Sequence, residues 1–107
     1  MSTVDPIETP ERRADAAARA VEGVVRLYSA TPIPARLARR IAHPDEDAPL
    51  SVVELDDDRL SVTVCVGVSA LRSASTTAAL VAAAVRAELA DHDRVRVHVR
   101  VSRVTEE

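Results

Sequence analysis

The chain of 107 residues has the length of one domain and a net charge of −3, with 14 basic residues against 17 acids, a balance that does not match nucleic acid or an anionic lipid surface. It contains no Lys, Asn, Gln, Phe or Trp and a single Tyr, so its core must be aliphatic, and it lacks the aromatic platforms on which single-stranded nucleic acid stacks. One cysteine, Cys65, leaves no internal disulfide, the N-terminus has no basic segment followed by an apolar one, and the charge-free run 73–85 is too short to span a membrane.

Residues 1–9 hold small polar residues, acids and a proline and read as a flexible tail. Thr9 is placed to cap a helix that opens at Pro10-Glu11, with Ala14, Ala17, Ala18 and Val21 as its apolar stripe and Gly23 as its end. Val24–Tyr28 follows as a short strand. The segment 29–49 is punctuated by four prolines, with a short helix expected over 35–43 and the acidic cluster Asp45-Glu46-Asp47 in a loop. Leu50–Leu55 reads as a second strand, and Asp56–Arg59 as the turn of a hairpin that returns along Leu60–Val68. Ser75 or Thr76 then caps a helix to about Ala90, with Leu80, Val81, Ala84, Val85 and Leu89 inward. A final strand runs from Arg94 to about Val104, and 105–107 form a flexible end.

Two of these strands carry most of the information. Leu60, Val62, Val64, Val66 and Val68 alternate with Ser61, Thr63, Cys65 and Gly67, and Val95, Val97, Val99 and Val101 alternate with Arg96, His98 and Arg100. Side chains of a strand point to opposite faces in turn, so each strand has a valine face and a polar face. The expected fold is therefore α+β: one domain over 10–104 with a small mixed sheet of about four strands. Its two main helices cover the valine face, in the order α-β-(short α)-β-β-α-β. The core expected from this pattern is Val62, Val64, Val66, Val97, Val99, Leu80, Val81 and Val85.

This order, together with particular residues, resembles the alkaline shock protein family of bacterial envelope stress proteins, nearest its short actinobacterial members. Ala18–Leu27 is similar to the family's helix that ends at a Val-x-Gly-Val step into the first strand, here Val21-Glu22-Gly23-Val24. Leu60–Val68 resembles its long valine-rich strand, and Ala82–Arg86 followed by Arg94–Val101 resembles its last helix and closing strand. The resemblance implies a non-enzymatic cytoplasmic protein of envelope homeostasis. It would act by self-association or by docking to a membrane-anchored partner at the inner face of the membrane, without inserting itself. It brings no catalytic residue and no cofactor.

The residues themselves offer few chemical sites. Asp56-Asp57-Asp58 lacks the Gly and the distant Glu of a calcium loop and reads as a hairpin turn. His92 and His98 have neither a second His at ligand spacing nor a Cys partner, so no metal site is expected. Cys65 sits on a strand away from any helix N-terminus, and the serines lie outside a nucleophile elbow, so no catalytic residue is assigned. The candidate interaction residues are Arg94, Arg96, His98 and Arg100, with Thr63 and Cys65 beside them as a flat, uncharged surface. A solvated face in an arginine-biased chain is the plain alternative. Two other functions compete: a KH-like nucleic-acid module, which requires a Gly-x-x-Gly loop absent from the chain, and a small ligand-binding domain, for which no convergent polar set is found.

Overall fold

A computed structural model describes residues 9–30 and 50–106. The expected tail before Thr9, the short helix 35–43 and the acidic cluster 45–47 lie outside the described residues. The order is α1 (Pro10–Arg19), β1 (Val24–Tyr28), β2 (Val52–Asp56), β3 (Arg59–Ser69), α2 (Ala74–Glu88) and β4 (Val95–Thr105).

Each helix starts where a hydroxyl offers itself to a free backbone amide. The Thr9 side chain accepts from the Arg12 N–H at 3.3 Å, and Pro10 occupies the first turn, where its missing N–H costs nothing. The cap of α2 is Ser73, which accepts from the Thr76 N–H at 3.3 Å; the expected caps Ser75 and Thr76 already lie inside the helix. Gly23 does not end α1, which stops at Arg19 with Ala20 as its cap. Gly23 instead turns the chain into β1 at φ +102°, a conformation open to glycine but strained for other residues. A Cβ there would also meet Thr77 Oγ1 at 3.0 Å and Arg72 Cδ at 3.2 Å.

The sheet is built on β3. Along one side β4 runs parallel to it from Leu60↔Val95 to Ser69↔Thr105, with Ser102 as an extra residue between Val66↔Val101 and Gly67↔Arg103. The other side is shared by two antiparallel strands placed end to end. β2 pairs with residues 59–63 and β1 with residues 65–68. The β2–β3 hairpin turns through Asp57-Asp58, with Asp57 at φ +55°, a region that Asp enters more readily than most residues. The sheet is therefore mixed, as the sequence predicts, and β4 has one free edge among the described residues.

The valine face of β3 lies against the helices. Leu60, Val62, Val64, Val66 and Val68 form one core with Ala14 and Ala18 of α1, with Val81 and Val85 of α2, and with Leu89 at its cap. Val97 and Val99 are half-buried, because an edge strand has a neighbour on one side alone. Leu80 is 46% exposed, contrary to the expected core. The inward stripe of α2 is Thr77, Val81, Val85 and Leu89, spaced by four, and Leu80 stands off it.

Two polar contacts fix the helices to the rest. Asp15 on α1 is buried, and its carboxylate accepts from the backbone N–H groups of Leu50 and Ser51, each at 2.9 Å, and from the Ser51 hydroxyl at 2.5 Å. These amides are drawn to the helix, which is why β2 begins at Val52 and not at Leu50. The Ala30 N–H donates to the Leu50 carbonyl at 2.9 Å, so the chain returns beside the point at which it left β1. Removing the carboxylate strands three donors, of which the two on Ser51 are buried. Asp15→Ala should therefore lower unfolding stability by about 2–3 kcal/mol, measured by urea denaturation; a loss under about 0.5 kcal/mol would place the anchor elsewhere.

The second contact joins α1 to the end of α2. The Arg13 guanidinium donates to both carboxylate oxygens of Asp91, at 3.0 and 3.3 Å, to Glu88 Oε1 at 3.3 Å, and to the Glu88 carbonyl. The hydrogen bond from Arg13 holds the Asp91 carboxyl below its ordinary value, and the same bond raises the guanidinium. A depressed carboxyl stabilises the fold above its unfolded pKa and loses that contribution as pH falls through the folded value. Asp91→Asn should thus lower the melting temperature at neutral pH, and the gap between variant and wild type should shrink as pH falls through the acidic range. A gap that stays constant on acidification would assign the loss to something other than the carboxylate charge.

Candidate interaction face

Opposite residues of paired strands share a face, so the registers lay out the outer side of the sheet in rows. Reading across β2 or β1, then β3, then β4, the rows are Glu54–Ser61–Arg96, Val52–Thr63–His98, Tyr28–Cys65–Arg100 and Arg26–Gly67–Arg103. Asp56 and Arg59 pair at the hairpin end, where Arg94 stands just before β4 and its carbonyl accepts from the Leu60 N–H at 2.8 Å. The period-two alternation of β4 does what the sequence predicts: Arg96, His98 and Arg100 are exposed while the intervening valines are half-buried. Arg94 is exposed as well. Among the described residues none of Arg94, Arg96, His98 and Arg100 has a side-chain hydrogen bond or ion pair.

The centre of the face is less open than the sequence suggests. Thr63 is half-buried, but Cys65 is only 3% exposed. Its row neighbours account for this. Tyr28 is directly opposite on β1 and Arg100 on β4, and both side chains are long while Cys65 is short. The Tyr28 ring also reaches over Gly67, where a Cβ would meet its Cε2 at 3.0 Å. Arg26 lies over that ring, 5.8 Å from its centre, within cation–π range. Cys65 is therefore part of the buried floor of this face and not a contact residue at the surface, which corrects its place in the expected set.

The residues missed by sequence reasoning are Glu54, Arg26, Tyr28 and Arg103. Glu54 and Asp56 alternate with Val53 and Leu55, a pattern of the same kind as that of β4 but shorter. Their position across the sheet from the arginines depends on strand order, which the sequence leaves open. Both glycines serve the fold, Gly23 at the turn into β1 and Gly67 beneath Tyr28. Among the described residues, no group of three or more His, Cys, Asp and Glu is placed to hold a metal ion.

No family model and no curated protein matches the sequence. Solved structures do resemble the fold, and those found are variants of the MamM C-terminal domain. One is 14% identical with a TM-score of 0.56, covering 94% of this chain and 99% of that chain. A second is 18% identical with a TM-score of 0.53, covering 94% and 96%. A third is 12% identical with a TM-score of 0.54, covering 96% and 99%. At these identities the likeness is one of fold.

The burial of Cys65 has a direct consequence in solution. A thiol reagent should label the native protein slowly and label it fully once denaturant is added. Complete labelling under native conditions would show that Tyr28 does not cover this part of the face.

Proposed function

We propose that the protein is a non-enzymatic protein-interaction module that associates through the outer face of its sheet. The observation that supports this most directly is the exposed stripe Arg94, Arg96, His98 and Arg100, whose guanidinium groups have no charge partner among the described residues and which lies beside the short side chains of Ser61 and Thr63. Guanidinium groups held on a strand at fixed spacing suit carboxylates on a facing surface. The fold likeness to a domain that is, by its name, one part of a larger protein is consistent with a role carried out by contact.

The alkaline shock resemblance refines this role. It supports a protein of envelope homeostasis, acting in the cytoplasm by self-association or by docking to a membrane-anchored partner. Its support is the Val21–Val24 step, the β3 valines and the closing strand. Among the described residues no helix is long and apolar enough to cross a membrane.

Exposed ion pairs contribute only about 0–1 kcal/mol each and are screened by salt. Self-association should therefore be weak and should fall as salt rises. Sedimentation equilibrium at low and high salt should show a wild-type dimer that Arg96→Glu, Arg100→Glu weakens by at least about tenfold. A monomer at every concentration and salt, or a dimer indifferent to the double reversal, would remove the arginine stripe from the function.

A further inference from the structure

The outer face carries opposite charges on its two flanks. Glu54 and Asp56 lie on β2, and Arg94 and Arg96 lie on the β4 side, with β3 between them. Neighbouring strands are about 4.8 Å apart, so the two flanks are roughly 10 Å apart. Glu54 and Arg96 share a row but are separated by Ser61, and among the described residues neither has an ion-pair partner. A partner that presents the same two flanks in reverse order would satisfy both.

We infer that this face binds a second copy of the chain about a two-fold axis parallel to β3, with Glu54 of each copy paired to the partner's Arg96. The inference rests on the association proposed above and specifies its geometry. Rotation about an axis along the strands exchanges left and right flanks and leaves each row at its own level. The β2 flank of one copy then lies over the β4 flank of the other. Glu54 faces the partner's Arg96, Asp56 faces the partner's Arg94, and Tyr28 faces the partner's Arg100. An axis running across the strands would instead set β4 on β4 and arginine against arginine.

The same rotation explains why the contact is weak. Arg59 lies in the central strand and meets its own counterpart near the axis, and Arg26 faces the partner's Arg103. These like-charge rows oppose the favourable ones, although Arg26 already leans on Tyr28. The surface has no large apolar anchor apart from Tyr28, so it lacks the buried hot spots of a tight interface. The favourable pairs therefore set the orientation of the dimer more than its strength.

A charge exchange tests the pairing. Sedimentation equilibrium at low salt compares wild type, Glu54→Arg, Arg96→Glu, the double variant, and an equimolar mixture of the two single variants. Because the axis repeats every contact, each single reversal should weaken association about tenfold, two pairs being lost at once. The double variant exchanges the signs and should return to within about threefold of wild type. The mixture of single variants places opposite charges across both pairs and should associate more tightly than either variant alone. If Arg96→Glu weakens the dimer but neither the double variant nor the mixture recovers, the Glu54–Arg96 pairing is overturned while the role of the arginine stripe stands. If wild type is monomeric, or Arg96→Glu changes nothing, both the pairing and the association on which it rests are overturned.

Discussion

The structure depends on a single strand with two different faces. β3 is buried from Val64 to Ser69, and every other element takes its position from it. Its inner side carries Leu60 and four valines, which meet both helices. Beyond Arg59 at its start, its outer side carries only short residues, Ser61, Thr63, Cys65, Gly67 and Ser69, so longer side chains from β1 and β4 can close over it. A slip of one residue in its pairing would drive the valines outward and set serine and threonine against the helices. The cost of that exchange is the full hydrophobic burial of the core, and this is what holds β1, β2 and β4 in one register.

The periodic part of this design was legible in the sequence. The valine alternation of β3 and β4 announces two-faced strands, the hairpin announces itself through Asp57-Asp58, and Thr9-Pro10 marks the start of α1. What escaped the sequence is what depends on contacts between distant segments. Asp15 looks like any acid on a surface helix, and its partners lie at Leu50 and Ser51, across the chain from it. Gly23 looks like a helix stop, but its small size answers to Thr77 and Arg72. Cys65 has small neighbours along its own strand and reads as open, yet it is buried between Tyr28 on β1 and Arg100 on β4. Leu80 fits an apolar stripe by spacing of three and four, yet α2 is wide enough in alanine for several stripes, and only packing chooses Thr77, Val81, Val85 and Leu89.

The charged face was half legible for the same reason. The arginines of β4 stand out because eight residues alternate without a break from Arg94 to Val101. The acidic flank needs the strand order as well, since Glu54 and Asp56 become its opposite side only when β2 and β4 sit on either side of β3. Charge separation across a sheet is thus a property of topology. Composition alone shows a mild acidity that hides it.

The free edge of β4 raises the question of why association should use the face and not the edge. Among the described residues the outer side of this eleven-residue strand has no neighbour and presents a row of backbone donors and acceptors, and such edges pair readily unless something prevents it. An antiparallel pairing of β4 with itself, centred on His98, would set Arg96 beside the partner's Arg100, since their positions are symmetric about that residue. Like charges directly opposite one another destabilise a strand pair. Ser102 adds a second obstacle, because the extra residue bends the strand where pairing would have to continue. The arginines therefore act twice. Along the edge they oppose joining to an identical strand, and across the face they complement the acids of β2. A sheet that guards its edge in this way leaves its charged face as the surface on which a second copy can settle.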